Sequence, residues 1–410
     1  MKNQSFKIKA SLFINYFVFA ILLNSVGIVI LKAQKVYGVN ETEAAILELF
    51  KDMPIAIVSF LVASFLPRIG YKKAMLIALG IVTFACIGMY IGNSFLASKL
   101  LFMCVGIAFA LIKVSVYSTI GLVTNNQNEH NSLMSSIEGF FMVGITFAYF
   151  LFPFFNTESD PNGWVNVYLL IAVLTSLSFL FLWFADFDED IEIPGSNLGE
   201  DFMSMLGLLI KLLVVVFVIS AFLFVMIEQG IMTWLPTFNN RVLDIPENLA
   251  IIMTSVLFVS AAVGRLLAGQ LVKKISWFYI VVACIIIVIL ILLFVLPKAI
   301  SSRITGVTSL LDIPLYGYAF PLVGLFLAPI YPLINSVVLS ALPKKLHSPM
   351  TGLIIIFSAL GGTSGSWILG YLFKNVGAES AFTYMIVPLI LLLLAMFILF
   401  RLTDNRRIEN

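Results

Sequence analysis

Two apolar segments of the chain match each other: GIAFALIKVSVYS (106–118) and GLFLAPIYPLINS (324–336), at an offset of 218. A loop agrees as well, because PRIGYKK (67–73) matches VKKISW (272–277) at an offset near 206. Agreement in both an apolar segment and a basic loop is not expected of two unrelated membrane helices. The chain is therefore predicted to contain two similar halves in parallel orientation.

A third match extends the repeat toward the C-terminal end of each half. NSLM and VGITFAYFLF within 131–152 match SPMTG and LGGTSGSWILGYLF within 348–373, at an offset near 217. Gly361, Gly362, Gly365 and Gly370 lie in the second copy, where small residues let helices approach closely.

The composition excludes a water-soluble protein. Of the 410 residues, 61% are apolar and 11% are charged, whereas a soluble domain is about half apolar and about a quarter charged. The net charge of +2 comes without basic patches interleaved with aromatic residues, so nucleic acid is not an expected partner. The three cysteines, Cys86, Cys104 and Cys284, lie within apolar runs and predict neither a disulfide nor a metal site. No cofactor is expected.

The apolar runs predict an all-α membrane protein. A bilayer-spanning helix needs about 20 apolar residues, and helices satisfy their own backbone groups in lipid. Twelve runs have this length, at about 9–33, 43–66, 72–93, 98–123, 133–155, 164–185, 212–237, 248–272, 276–297, 314–340, 349–373 and 379–402. The tenth run is expected to be broken by Pro321, Pro329 and Pro332.

An acidic connection, DFDEDIEIPGSNLGED (186–201), separates the sixth span from the seventh. The predicted organisation is a six-helix bundle over 1–185, a linker over 186–211 and a second six-helix bundle over 212–410. Residues 202–211, FMSMLGLLIK, are expected to form a short interfacial helix at the end of the linker.

Lys and Arg in the loops predict the orientation. Twelve spans place both termini on one side, and that side collects fourteen basic residues against seven on the other, with three within spans. The termini are therefore predicted to be cytoplasmic in a multi-pass protein of the cell membrane.

Twelve spans, a linker in the middle of the chain and basic loops after spans two and eight resemble the major facilitator superfamily. The loop signature of that family, G-x-x-x-D-R-x-G-R-R, reads ASFLPRIGYKK over 63–73. Arg68, Gly70 and Lys72 match it, while Pro67 takes the acidic position. The second copy, GQLVKKIS (269–276), is weaker.

Within that superfamily, the C-terminal half resembles the fucose–galactose–proton symporter family. The resemblance rests on FVMIEQGIMTWL (224–235), VGRLLAGQLVKKIS (263–276) and IYPLINS (330–336). The N-terminal half departs from that family, because Asn24 and Lys113 stand where its acidic proton carriers align.

The superfamily resemblance implies that spans one, four, seven and ten line a central cavity. Lys113 and Glu228 would then face each other across it, as substrate-binding residues and as a charge pair that substrate or a proton opens. The alternative for this pair is a permanent interhelical lock. Gln229, Tyr331, Asn335, Asn24, Trp234 and Tyr117 are further candidates for binding substrate, since a small-molecule site combines aromatic walls with a few placed polar groups.

Charged residues inside a bilayer are costly and tend to mark a transport path. Glu228 and Asp52 are the candidates for proton coupling; Asp52 alternatively pairs with Lys113. Glu48, one turn before Asp52, is either a third coupling residue or a solvated helix end. Glu138 is expected to clasp the basic loop of Arg68 and Lys72 as a cytoplasmic gate. Arg265 is expected to cap carbonyls or pair near that gate, with anion binding as the alternative.

The sequence therefore predicts a monomeric secondary transporter that works by alternating access, in a lipid bilayer, with a small polar solute and protons as its partners. Sugars follow from the resemblance, and Lys113 favours a sugar acid or another organic anion. A peptide or drug carrier and a non-transporting sensor are the alternatives. An enzyme is not expected, because the chain has no catalytic motif and no phosphate-binding loop.

Overall fold

The structure of the chain is a computed structural model. It describes all residues except 1, 125–126, 157–159, 161, 186–202, 204, 302–305, 341, 343–346 and 409–410. For some helical residues it describes the backbone alone: 2–6, 60, 62–65, 67–68, 121–123, 127–132, 135, 339–340, 347–349 and 404–408.

The described chain is helical, without a β-strand, and divides into two compact units. The first unit comprises 1–38 and 46–198, and the second comprises 39–45 and 199–410. The predicted bundle boundaries at 185 and 212 border the acidic linker, most of which lies outside the described residues, so these boundaries stay predictions. After the linker, the described chain makes a 3₁₀ turn at Leu208–Ile210.

The first unit holds the first six predicted spans. The first span bends at Ser25, whose hydroxyl donates to the carbonyl of Leu22 at 2.8 Å; a serine bonded back to its own helix commonly produces such a bend. The helices of this unit are Lys2–Asn24, Val26–Val36, Ile46–Ile69, Tyr71–Gly92, Phe95–Val123, Gln127–Phe154 and Asn166–Trp183.

The second unit holds the last six spans. Its ninth span passes through a π-helical turn at Ile291–Val295. The tenth span is broken at two of its three predicted prolines, at Phe320 to Pro321 and at Ala328 to Pro329. The prediction of a break at Pro332 was wrong: this proline is the third residue of the helix Ile330–Ser340, where a backbone N–H has no partner within the helix. The helices are Glu41–Ala44, Leu212–Arg241, Glu247–Leu271, Trp277–Leu290, Leu296–Ser301, Leu315–Ala319, Gly324–Leu327, Ile330–Ser340, His347–Asn375, Ala378–Ala381 and Ile386–Ile408.

Eleven helical segments within the described residues are long and apolar enough to cross a membrane. The second span, Ile46–Ile69, is the twelfth helix of spanning length, and it carries Glu48, Lys51 and Asp52. The predicted all-α fold of two six-span halves is therefore confirmed.

The same glycine contact occurs in both units at the offsets that the sequence repeat predicts. A Cβ added to Gly106 of the fourth span would lie 2.3 Å from the carbonyl oxygen of Lys51 in the second span. A Cβ on Gly324 of the tenth span would lie 2.3 Å from the carbonyl oxygen of Leu257 in the eighth. Gly324 follows Gly106 by 218 positions, and Leu257 follows Lys51 by 206. In both units, the missing side chain lets two helix backbones touch.

A second glycine contact repeats in the same way. A Cβ on Gly144 of the fifth span would lie 2.7 Å from the carbonyl oxygen of Phe17 in the first, and one on Gly361 of the eleventh would lie 2.4 Å from that of Phe222 in the seventh. The offsets are 217 and 205 positions. Two independent pairs of helices therefore pack in the same way in the two units.

Residues 39–45 belong to the second unit although they connect two helices of the first. Asn40 and Glu43 form a capping box that starts the short helix Glu41–Ala44. Glu41 forms an ion pair with Arg241, and Gly370 of the eleventh span leaves room for the carbonyl oxygen of Glu41. The second span consequently begins at Ile46, a few residues later than predicted.

Candidate functional site

The fourth span carries Lys113 within a continuous helix from Phe95 to Val123. Ser94 caps this helix by accepting a hydrogen bond from the backbone N–H of Ala97 at 3.1 Å. The Lys113 Nζ lies 5.8 Å from the ring centroid of Phe109, one turn earlier, which is within the range of a cation–π contact. Glu138 of the fifth span is the carboxylate with which Lys113 interacts electrostatically.

Glu138 is held by a phenol. The hydroxyl of Tyr117 donates to Glu138 Oε1 at 2.5 Å. The ring of Tyr117 lies 6.1 Å from that of Tyr16 in the first span, and Phe141 lies 5.6 Å from Tyr16 on another side. We call Tyr16, Lys113, Tyr117 and Glu138 the first polar cluster. It brings one cation, one carboxylate and two phenols together between aromatic rings.

The first polar cluster brings together residues for which the sequence predicts two different roles. Lys113 and Tyr117 are candidates for substrate binding, whereas Glu138 is a candidate for a gate. The structure places Glu138 with Tyr117 and Lys113. Tyr16 had not been predicted, because one tyrosine in a chain with 13% aromatic residues carries no distinguishing signal.

A second polar cluster lies in the second unit and comprises Glu228, Arg265, Tyr331, Asn335 and Ser358. The hydroxyls of Tyr331 and Ser358 are 2.8 Å apart, and the ring of Tyr331 stacks on Phe224 at 5.5 Å. Glu228 interacts electrostatically with Arg265 and with Tyr331, and Tyr331 also interacts with Asn335.

One acceptor of the second polar cluster is unused within the described residues. Asn335 Oδ1 is buried there without a hydrogen-bond partner. A buried acceptor without a partner costs about 1–3 kcal/mol, so this atom is suited to receive a hydroxyl of a solute. Ser358 had not been predicted, because a serine among the apolar residues of the eleventh span gave no signal of its own.

The remaining neutral candidates differ in their surroundings. Trp234 is fully buried, donates from its indole N–H to the carbonyl of Ser366 at 2.9 Å, and lies 4.9 Å from the ring of Phe373. Gln229 contacts Thr233 at 3.4 Å. Asn24 donates to the carbonyl of Ala20 at 2.9 Å, at the bend of the first span. Trp234 therefore packs between helices, while Gln229 and Asn24 are only partly buried.

The charged residues of the second span form a group of their own. Lys51 Nζ lies 2.6 Å from Glu48 Oε2 and 3.5 Å from Asp52 Oδ1. All three side chains are buried. The sequence placed Asp52 near the middle of its span; the helix in fact begins at Ile46, so Asp52 lies six residues, roughly 9 Å, from its start.

The predicted gate residues are only partly described. The side chain of Arg68 lies outside the described residues. Lys72 donates to the backbone carbonyl of Trp183 at the end of the sixth span, at 3.1 Å. That bond ties the basic loop to the sixth span, and Arg265 belongs to the second polar cluster.

No group of three or more histidine, cysteine, aspartate or glutamate side chains that could hold a metal ion occurs within the described residues. The side chains of the two polar clusters offer hydrogen bonding, ion pairing and proton exchange.

The sequence model of the Major Facilitator Superfamily matches residues 11–323. The chain belongs to the major facilitator superfamily. It is a multi-pass membrane transporter of a small molecule, and not an enzyme. The comparison with curated proteins gave no match.

Solved structures of transporters share this fold. The nucleoside transporter NupG superimposes with a TM-score of 0.74 at 13% identity, over 97% of this chain and 99% of NupG. A point mutant of NupG gives 0.73 at 14% identity, over 96% and 99%. A bacterial homolog of the human lysosomal transporter Spinster, in an inward-facing and occupied conformation, gives 0.71 at 13% identity, over 97% and 96%. At these identities the similarity is one of fold.

Proposed function

We propose that the chain is a proton-coupled secondary transporter of a small hydroxylated ring compound, a sugar or a close relative of one. The first polar cluster is the observation that supports this most directly. Lys113, Glu138 and Tyr117 offer charged donors and acceptors beside aromatic rings inside membrane helices, and sugars are bound by such a combination of hydrogen-bonding groups and ring faces.

The charge of the first polar cluster favours a neutral solute. Lys113 alone favours an anion, which was the expectation from sequence, but Glu138 supplies a carboxylate with which Lys113 interacts. A substrate carboxylate would compete with Glu138 for the same ammonium. A neutral hydroxyl accepts from Lys113 and donates to Glu138 without displacing either charge. A sugar acid is accordingly the second candidate.

A binding screen on the purified protein tests the substrate class, since a ligand of the folded state raises its apparent stability. Matched pairs such as glucose with glucuronate and galactose with galacturonate isolate the carboxylate. A nucleoside, a dipeptide and a hydrophobic cation represent the other carrier classes. We expect stabilisation by at least one neutral sugar; tighter binding of the acid in every pair would exclude a neutral substrate.

Transport itself is tested in proteoliposomes. Solute counterflow, in which unlabelled solute inside drives uptake of labelled solute, requires a carrier and no coupling ion. We expect counterflow of the solute that the screen identifies and a further accumulation when the outside is more acidic. Binding without counterflow would indicate a sensor instead.

We further propose that both termini are cytoplasmic and that the carrier works as a monomer in the cell membrane. The support for the orientation is the excess of basic residues, fourteen against seven, in the loops assigned to that side. Protease accessibility of a C-terminal tag in right-side-out cells checks the orientation; cleavage without permeabilisation would reverse it. The prediction that Lys113 and Glu228 face a common cavity stays a prediction.

A further inference from the structure

The two most exposed large apolar side chains of the described residues lie in one short segment of the second unit. Leu311 is 96% exposed, and Leu315 is 89% exposed. Leu311 lies in the 3₁₀ turn Leu310–Asp312, and Leu315 begins the helix Leu315–Ala319. We call residues 306–319 the leucine segment; it leads from the loop after the ninth span into the tenth span.

The leucine segment is packed against the rest of its unit on its other side. Val307 is 7% exposed and Ile313 is 4% exposed, so both are buried. Gly317 within the short helix is buried as well. Leu311 and Leu315 are therefore exposed because an ordered segment presents them outward, while its remaining apolar residues make contacts inside the unit.

The polar groups of the turn are paired within the segment. Asp312 Oδ2 accepts hydrogen bonds from the backbone N–H groups of Thr308 and Ser309 at 3.0 and 2.7 Å, and from the hydroxyl of Thr308 at 2.9 Å. The backbone N–H of Ile313 donates to the carbonyl of Leu310 at 3.3 Å. A backbone that touches lipid needs such internal partners, because lipid offers none. The turn meets this requirement for these groups.

A tyrosine joins the turn to the helix that follows it. The hydroxyl of Tyr318 donates to the carbonyl of Leu310 at 2.6 Å, and the backbone N–H of Gly317 donates to the carbonyl of Pro314 at 2.8 Å. Pro314 itself has no N–H to satisfy. Tyrosine is enriched where a membrane meets water, since its ring is apolar and its hydroxyl is polar. The leucine segment thus has the composition of a segment at that boundary.

The start of the tenth span brings the leucine segment to the edge of the bilayer. The stretch that is apolar enough to cross a membrane begins at Leu315, and Leu322, farther along the span, is exposed again. Leu311 precedes Leu315 by four residues, which is about 8 Å at the rise of a 3₁₀ helix. The headgroup region on each side of a bilayer is about 5–8 Å thick. The side chain of Leu311 is therefore within reach of the lipid.

We propose that the leucine segment is a membrane-surface anchor, which inserts Leu311 and Leu315 between the lipid headgroups and the acyl chains. Nine spans precede the segment, so this contact lies on the side of the membrane opposite the chain termini. The partner is the apolar part of the bilayer and not a particular headgroup. Exposed Asp312 limits the depth, because a charged carboxylate enters hydrocarbon only at a high cost. The inference uses the membrane embedding alone and does not depend on the solute.

A second copy of the chain is the alternative cover for the two leucines. A specific protein–protein interface buries about 1,200–2,000 Å² in total, and two leucine side chains supply only a small part of that area. A bilayer requires no complementary surface, since membrane binding increases with each apolar group that is buried. Lipid is therefore the occupant that the exposed area favours.

The experiment places an environment-sensitive fluorophore on Leu311→Cys and on Leu315→Cys. The full chain is studied in phosphatidylcholine nanodiscs, in which both faces of the bilayer are open to the buffer. Quenching by iodide reports contact with water, and quenching by a nitroxide on the acyl chain close to the headgroup reports contact with lipid. We expect both labels to be quenched by the nitroxide and to lose most of the iodide quenching that a label in water shows.

Two further positions serve as controls. Asn162→Cys is the matched control, because Asn162 is an exposed polar residue directly before the sixth span; its label is expected to respond to iodide. Phe84→Cys is the lipid control, because Phe84 lies within the third span and is 77% exposed. Wild type treated in the same way measures the background from its own cysteines, which are Cys86, Cys104 and Cys284.

The outcomes distinguish lipid from water and from a second copy. Equal iodide quenching at Leu311→Cys and Asn162→Cys would contradict the proposal. Protection of Leu311→Cys from both quenchers, together with cross-linking of two chains through this cysteine, would assign the leucines to an interface between copies and overturn it.

A measurement without the fluorophore shows whether the label itself causes insertion. The rate at which a charged maleimide modifies the cysteine depends on water at the thiol, because the thiolate is the reacting form. We expect slower modification of Leu311→Cys than of Asn162→Cys in nanodiscs. Equal rates would show that Leu311 lies in water and would contradict the proposal.

Discussion

The fourth and tenth spans correspond to each other in the repeat, but they differ in helical continuity and in polar residues. The fourth is one continuous helix, Phe95–Val123, whereas the tenth is divided into Leu315–Ala319, Gly324–Leu327 and Ile330–Ser340. Lys113 of the fourth corresponds to Tyr331 of the tenth. The shared feature is the glycine contact, Gly106 in one and Gly324 in the other. The comparison teaches that the packing of the repeat was retained while its polar chemistry and its helical continuity diverged.

The largest effect is expected from Gly106→Ala and Gly324→Ala. Each added Cβ would lie 2.3 Å from a backbone oxygen, which cannot move without its helix, and overpacking of a core typically costs about 1–3 kcal/mol. We expect both variants to lose most of the folded monomer, as measured by size-exclusion chromatography and thermal unfolding in detergent.

Gly88→Ala and Gly269→Ala are the matched controls in the first and second units, since a Cβ at either position meets nothing within 4 Å. Both are expected to fold as wild type does. If Gly324→Ala folds normally while Gly106→Ala does not, the broken tenth span absorbs strain that the continuous fourth span cannot, and the packing of the two halves is not equivalent.

The next largest effect is expected from the charged residue that distinguishes the fourth span from the tenth. Lys113→Met removes the cation of the first polar cluster and leaves Glu138 without its positive neighbour. We expect counterflow to fall by roughly tenfold or more, because losing a hydrogen bond between a charged group and the solute costs about 1.5–3 kcal/mol, at about 1.4 kcal/mol per factor of ten.

Lys99→Met controls for the loss of a lysine from the same helix. Lys99 Nζ lies 4.4 Å from the ring centroid of Phe95, four residues earlier, which repeats the spacing of Lys113 and Phe109 near the helix start. We expect Lys99→Met to retain transport. Equal loss in both variants would show that Lys113 stabilises the helix rather than binding solute.

Tyr331→Phe is expected to have a smaller effect than Lys113→Met. It removes one hydrogen bond, that between the hydroxyls of Tyr331 and Ser358 at 2.8 Å, and keeps the stacking on Phe224. A single hydrogen bond contributes about 0.5–1.5 kcal/mol, so solute affinity should fall by no more than about tenfold. Ser358→Ala should give the same loss, and the double variant should add little. Additive losses would mean that the two hydroxyls act separately.

The smallest effect is expected in the loop that precedes the tenth span. In the preceding loop, the backbone N–H groups of Thr308 and Ser309 donate to Asp312 at 3.0 and 2.7 Å. These bonds hold the pKa of Asp312 below its usual value, and the bond from Thr308 has the largest effect. The ionised form is therefore the one that orders the loop, and this contribution is lost only as the pH falls through the lowered pKa.

Asp312→Ala should speed amide hydrogen exchange at Thr308 and Ser309 at neutral pH and leave transport unchanged. Ser94→Ala, which removes the side-chain cap at the start of the fourth span, should lower the free energy of unfolding by about 1 kcal/mol. Unchanged exchange in Asp312→Ala would show that the loop is ordered by other contacts.

The number of spans, the division into two related halves and a break in the tenth span could be predicted from the sequence. Each depends on a local property: apolar length, similarity at a fixed offset, and proline's missing N–H. The membrane makes these signals strong, because a backbone in lipid has to satisfy its hydrogen bonds within a helix. The resemblance to the major facilitator superfamily was correct for the same reason, since it depended on the order of these features.

Which polar residues meet depends on how the helices pack in three dimensions. The meeting of Lys113, Glu138 and Tyr16 depends on how the first, fourth and fifth spans cross, and that is set by contacts such as Gly144 against Phe17. The tertiary structure likewise shows that residues 39–45 join the second unit, through the ion pair of Glu41 and Arg241. In a soluble helix, the polar residues mark the face that is turned to water. Helices in lipid lack this pattern, so the sequence does not show their rotation about their own axes. Their small residues and backbone contacts fix it, and those contacts exist only once both helices are in place.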